Sequence, residues 1–329
     1  MGDNMRDNNF IIENNAKHLW HPMGAPGDSI NNPPKVITNA NGSQISDMDG
    51  HTTVDAVGGL WCVNLGYSNE AVKNAISEQL NHLPYYSGFA GTTNPAAIEA
   101  SFMVKEMFKA DGMDKVFFTS GGSDSVETCL RLSRQYHRLR GEPTRTKFIS
   151  LKKGYHGTHF GGASVNGNNR FRIAYEPLLP GCFHLPSPYT YRNPFNETDS
   201  QKLALNIAQA FEDEIAFQDK NTIAAFIMEP IQGAGGVIVP DPSFMGLMQE
   251  ICERNGILMI SDEVITGFGR TGSWSGARHW NVKPDMMSMA KGITSGYFPV
   301  GAALMGEKVA DVFENSNSPE AGIFHGYTY

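Results

Sequence analysis

The sequence predicts an α/β fold, a mostly parallel sheet with helices on both faces, and three observations carry that expectation. Short apolar runs recur at residues 116–119, 148–151, 223–228, 257–261 and 286–290. They alternate with helical patterns or long connections, the arrangement that covers a parallel sheet on two sides. Each run also gives way to something small or reactive: Ser120 with Gly121, then Tyr155, Glu229, Asp262 and Lys291. Ligands in open α/β sheets bind outside the carboxyl ends of the strands, so these five endings are expected to face one crevice.

In chain order, residues 1–15 are rich in Asn and Asp and read as a mobile arm, and residues 18–24 (His-Leu-Trp-His-Pro-Met-Gly) read as a compact apolar knob. Residues 36–55 carry Asn41-Gly42 and Asp49-Gly50, turn pairs that predict a small hairpin. Trp61 follows in a Gly-rich loop, as a core residue or a pocket wall. A helix is expected over 69–83, with Ala71, Val72, Ala75, Ile76 and Leu80 on one face and Asn69 as cap. Asn94-Pro95 opens a second helix running to about Lys109. Strand 116–119 breaks at Ser120-Gly121-Gly122-Ser123-Asp124 before a helix at 125–140, a cradle whose exposed N–H groups and helix dipole suit an anion. By itself that loop is also compatible with a plain tight turn, and it lacks the Gly-Lys-Ser/Thr of a nucleotide loop.

Strand 148–151 leads to Tyr155-His156, well placed to stack on a flat ring. His156 and His159 lack a cysteine or carboxylate at metal-ligand spacing, so no metal site is expected. Residues 161–196 show little periodicity and read as a long loop excursion. Amphipathic helices are expected at 198–217 and 244–255, the latter closed by Gly256.

The totals narrow the possibilities. The chain has 329 residues and a net charge of -8, with no basic run beside its aromatics, which argues against nucleic acid as a partner. The absence of a long uninterrupted apolar segment leaves a membrane span unsupported, and the polar first thirty residues leave a secretory signal unsupported. Cys62, Cys129, Cys182 and Cys252 are far apart and read as buried thiols, so a cytoplasmic location is expected.

The chemistry concentrates between Gly256 and Gly292. Asp262 and Lys291 stand 29 positions apart, each at the end of an apolar run. An amine there can form a Schiff base with an aldehyde, and a carboxylate can keep a pyridine nitrogen protonated, the two protein contributions a pyridoxal phosphate enzyme needs. A capping lysine and a turn-starting aspartate would account for the same residues without chemistry.

Taken as a set, several motifs resemble the class III pyridoxal-phosphate aminotransferases of fold type I, the omega-transaminases, over residues 18–329. They are Leu60-Trp61-Cys62-Val63-Asn64, residues 119–124, Gly154-Tyr155-His156-Gly157, Glu229-Pro230-Ile231-Gln232-Gly233, Asp262-Glu263-Val264 with the Gly267-Phe268-Gly269-Arg270-Thr271-Gly272 turn, Ala290-Lys291-Gly292, and residues 325–329. The resemblance implies that Lys291 carries the cofactor as a Schiff base and moves the substrate proton, while Asp262 pairs with the ring nitrogen. It places Val264 and Tyr155 on the two ring faces, Gly122 and Ser123 on the phosphate, and His156 and Glu229 around the ring. Thr328 would reach the phosphate of a neighbouring subunit, implying a homodimer with shared sites, and Trp20, Trp61, Tyr85 and Tyr86 would wall the substrate pocket.

The beta-alanine, taurine or amine:pyruvate subgroup is the nearest in pattern, so transfer of an amino group from an omega-amino acid or amine to pyruvate or a similar 2-oxo acid is expected. An aminomutase, a decarboxylase of the same fold, or an impaired cofactor-binding fragment are the alternatives. The loop Gly121-Gly122-Ser123-Asp124 departs from the Ser-Gly-Ser-Glu of many relatives and has one hydroxyl fewer. The expected organisation is an N-terminal segment at 1–55, part of a small domain, followed by a cofactor-binding large domain at 56–329. A further C-terminal lobe of ordinary domain size, with the arginine that meets a substrate carboxylate, is expected to be missing.

Overall fold

The computed structural model describes residues 7–89 and 91–328. The expectations for residues 1–6 and for Tyr329 fall outside that range. The chain divides into two compact units: residues 1–59 with 65–77, and residues 60–64 with 78–329.

The smaller unit contains a three-stranded antiparallel sheet of β1 (Ile37–Asn41), β2 (Gln44–Asp47) and β3 (Thr52–Val54). Gly42 supplies the left-handed residue of the first turn at φ +56°, and Gly50 that of the second at φ +84°. Asp47 ties the second turn by accepting the N–H groups of Asp49 and His51 at 3.1 and 2.9 Å. The arm expected at the N-terminus contains a helix, Asn8–Asn14, because Asp7 caps it by accepting the Phe10 N–H at 2.8 Å. The expected apolar knob at 18–24 is not a packed one: Trp20 is 79% exposed.

The larger unit is built on a seven-stranded sheet in the order β4-β10-β9-β8-β7-β5-β6. Its strands are β4 (Met113–Thr119), β5 (Lys147–Leu151), β6 (Cys182–Leu185), β7 (Ile223–Met228), β8 (Leu258–Asp262), β9 (Met286–Met289) and β10 (Gly301–Gly306). From β6 through β9 the neighbours pair in parallel, and β10 runs antiparallel to both β9 and β4. Alternation along each strand feeds two cores, one on each face. Phe226, Met228, Met259 and Met287 pack with helices Pro95–Phe108, Ser200–Gln218 and Phe244–Asn255. Ile227, Leu258, Ile260 and Met286 pack on the other side with Val126, Leu130 and Leu132 of helix Gly122–Leu139.

Two strands lie where none is expected. The loop excursion at 161–196 contains the short buried helix Phe160–Val165 and the edge strand β6, whose four residues include His184 and are too few to show a period. Strand β10 reads Gly-Ala-Ala-Leu-Met-Gly, and its small residues, buried throughout, give no β-branched signal. The helix Glu70–His82 forms with Asn69 accepting the Val72 N–H at 3.3 Å, yet none of its residues is buried, so its apolar face is not the core surface its spacing implies. Cysteine burial also divides: Cys129 and Cys252 are buried, Cys62 and Cys182 only half so.

Candidate active site

The carboxyl ends of β4, β5, β7, β8 and β9 open on one cavity of about 520 Å³. After β4, the Thr119 hydroxyl donates to the Gly121 carbonyl at 3.0 Å and the chain enters the helix Gly122–Leu139, whose first turn has no side-chain cap. Its leading N–H groups are therefore available to an anion. Gly122 packs closely, since a Cβ there would stand 3.1 and 3.2 Å from the two methyl carbons of Val264 and would press on that side chain.

Beyond β5, the Tyr155 N–H donates to Glu229 Oε1 at 2.9 Å and the Tyr155 ring meets Phe171 edge-on at 4.7 Å. His156 is buried, with Nδ1 2.8 Å from Asp262 Oδ2. The other Asp262 oxygen accepts the Ser288 hydroxyl at 2.9 Å and the Val264 N–H at 3.2 Å. A carboxylate oxygen can only accept here, so Nδ1 is the donor, and His156 Nε2 is left buried with no hydrogen-bond partner in the chain. His159 turns elsewhere, to Asp124 at 3.1 Å.

Glu229 lies almost fully buried at the end of β7, where Tyr155 and Gly233 each donate a backbone N–H to it at 2.9 Å. Burial pushes its carboxyl up to about 7, with nearby Asp262 adding to the rise and His156 opposing it. Past β9, Lys291 stands in the left-handed region at φ +51°. Burial lowers the proton affinity of its amine, and the negative fields of Asp262 and Glu229 resist that fall. Next to Asp262, Glu263 plays a structural part: it is fully buried and accepts the Gly276 and Ala277 N–H groups at 2.7 and 2.8 Å.

Gly122, Ser123, Tyr155, His156, Glu229, Asp262, Val264 and Lys291 all line this cavity. Others of the expected set are not among its lining residues. Tyr85 and Tyr86 line a second, mostly apolar cavity of about 530 Å³ that meets the first at Thr294, Phe298 and Val300. Trp61 does not line either; its neighbour Cys62 forms part of the first cavity's wall. Trp20 belongs to the smaller unit. Thr328 is exposed at the end of a segment laid on the helix Gly122–Leu139, where His325 Nε2 lies 3.2 Å from the Thr128 hydroxyl.

Sequence reasoning missed Ser288, Asn166 and the wall formed by residues 296–300. Ser288 could have been found as the one hydroxyl inside the run Met-Met-Ser-Met. Asn166, which accepts the His156 N–H and donates to the Gly157 carbonyl at 2.9 Å, gives no local signal.

Fold and site together define a protein with an anion cradle, an anchored carboxylate and a half-buried amine facing one crevice. Residues 27–329 match the family model described as aminotransferase class-III, and the chain belongs to that family. It is 37% identical over 295 residues to a putrescine–pyruvate aminotransferase of Pseudomonas aeruginosa, covering 90% of this chain and 63% of that protein. Among solved structures, an amine transaminase from an uncultivated Pseudomonas species, in its PLP-bound form, is 46% identical with a TM-score of 0.93, over 95% of this chain and 70% of that one. An (S)-enantioselective omega-transaminase from Thermomicrobium roseum is 34% identical with a TM-score of 0.94, over 99% and 71%. Among the described residues no helix is long and apolar enough to cross a membrane.

Proposed function

We propose that this chain binds pyridoxal 5'-phosphate in the cavity at the strand ends and transfers an amino group from an amine or omega-amino acid to pyruvate or a similar 2-oxo acid. The observation that carries the proposal is the convergence of Lys291, Asp262 and the uncapped helix start at Gly122 on one cavity. The residues fit the cofactor by charge and shape: the glycine-lined helix start suits a phosphate, and Asp262, fixed at three points, suits a protonated ring nitrogen. When bound, the cofactor supplies an electron sink for the carbon from which a proton is removed.

The chain's own residues do the rest. Lys291, its proton affinity lowered by burial, keeps a larger share of unprotonated amine for attack on an aldehyde carbon and for taking and returning a proton. Asp262 would hold a proton on the ring nitrogen, and His156 and Ser288 keep that carboxylate in place. Tyr155 and Val264 would confine a flat ring, and Glu229, with a carboxyl near 7, can hold or release a proton at the cavity wall. The proposed partners are an amine donor, a 2-oxo acid and a second copy of the chain, whose phosphate site Thr328 would reach. The proposed substrate class follows the names of the relatives, and the proposed compartment is the cytoplasm.

Incubating the protein with cofactor, beta-alanine or putrescine as donor, and pyruvate should yield alanine. Release of CO2 from the donor instead would reassign the chemistry to decarboxylation. A cofactor-loaded protein whose visible band ignores every donor would point to a cofactor-binding fragment.

A further inference from the structure

Arg270 sits in the Gly-rich turn between Asp262 and Lys291. It lies at the exposed rim, where an arginine side chain is ordinarily mobile, yet it makes three directed bonds. Nε donates to the Ile265 carbonyl at 3.0 Å, and Nη2 donates to the Trp61 carbonyl at 2.7 Å and to Asn64 Oδ1 at 2.8 Å. Asn64 closes the loop by donating Nδ2 to the Phe268 carbonyl at 3.1 Å. One guanidinium thus ties residues 61–64, distant in sequence, to the segment that follows Asp262.

The same residues 61–64 press on the segment that carries Lys291. A Cβ at Gly292 would fall 2.8 Å from Asn64 Nδ2 and 3.0 Å from Phe268 Cβ, so a side chain there would have to displace Asn64. A Cβ at Gly296 would stand 3.3 Å from Cys62 Sγ. Trp61 itself is left-handed at φ +59°, as is Lys291, a conformation that bulky residues rarely adopt unless their surroundings fix it.

We infer that Arg270 is a positioning residue: it clamps the Trp61–Asn64 turn against the Lys291 segment and so fixes Cys62 as one wall of the cavity. The Arg270 charge is also among the influences that lower the proton affinity of Lys291, the weakest of those named. The inference rests on Lys291 being the reactive amine of the proposed function.

Clamp and charge separate in two variants of the full chain. Arg270→Lys keeps the charge but not the planar fork, and Arg270→Gln removes both. Without cofactor, alkylation of Cys62 by iodoacetamide, followed by peptide mass spectrometry, reads the turn; losing a charge-assisted bond should speed it about tenfold in both variants. Trapping of added pyridoxal phosphate on Lys291 by borohydride, followed across pH, reads the amine. Its midpoint should move to higher pH in Arg270→Gln and stay in place in Arg270→Lys.

Wild-type alkylation rates at Cys62 in both variants would overturn the inference. So would equal acceleration at Cys182, since that would report general loosening and not release of one turn. Failure to trap the cofactor on Lys291 in the wild-type chain would instead overturn the functional reading beneath it.

Discussion

His156 Nδ1 lies 2.8 Å from Asp262 Oδ2, joining the end of β5 to the end of β8 through two buried side chains. With Ser288 and the Val264 N–H on the other oxygen, the carboxylate is held at three points and cannot turn away from the cavity. Asp262→Asn keeps nearly the same shape but exchanges an acceptor for an amide that cannot hold a proton on a ring nitrogen. Turnover is expected to fall by about 10²–10⁴-fold, the range for losing one acid–base partner. Intact-mass analysis after borohydride should still show cofactor on Lys291. Near wild-type turnover in this variant would remove Asp262 from the chemistry.

Lys291 is the second test. Lys291→Ala should leave no borohydride-stable adduct, and turnover should fall by about 10³-fold or more, since nucleophile and proton carrier disappear together. The pH dependence of adduct formation in the wild type has a determined sign. Burial lowers the amine's proton affinity, so the reactive form should appear at lower pH than for a free lysine side chain. A trapping midpoint at the ordinary lysine value would show that burial does not act on the amine.

The five strand endings were legible because they rest on local patterns: an apolar run, then a residue of different chemistry. Lys291, Asp262, Glu229 and Tyr155 therefore appear where the sequence puts them, along with the parallel part of the sheet. What escaped was set by long-range contact. Strand β10 is made strand by its neighbours β4 and β9, and its Ala-Ala-Leu-Met run carries no preference strong enough to announce it. The partners of His156 are drawn from positions 10 and 106 residues away, a separation no periodicity encodes. The apolar face of the helix Glu70–His82 shows the converse, a clear period without burial in this chain.

Glu229 makes stability depend on pH. Its carboxyl is raised from 4.5 to about 7 on folding, so between those values the native state binds more protons than the unfolded chain. Stability conferred by the protonated form is full below about 4.5 and is lost as pH rises through 7. The largest cost is about 3 kcal/mol, from 1.36 kcal/mol per unit. Glu229→Gln, which does not titrate and can accept only one of the two backbone N–H groups, should flatten the fall in unfolding free energy between pH 5 and pH 8, whatever its overall stability. Parallel pH profiles for the two proteins would mean that Glu229 titrates at its ordinary value.

Gly157 offers a test of packing without chemistry, because two separate costs meet at it. Its φ of +96° is one that side chains rarely adopt, and a Cβ there would come within 2.7 Å of Ser123 Cα, a backbone atom with nowhere to go. Strain and overpacking together should destabilise Gly157→Ala by about 2–5 kcal/mol. Gly246 provides the contrast: it lies inside the helix Phe244–Asn255, and a Cβ there would meet nothing within 4 Å. Alanine at that position should therefore stabilise by about 0.5–1 kcal/mol through helix propensity and a less disordered unfolded chain. Denaturant midpoints of the two variants should move in opposite directions from the wild type. If Gly157→Ala unfolds with Gly246→Ala at or above the wild-type midpoint, the close approach of the residue 154–157 turn to the start of the helix at Gly122 is not as described.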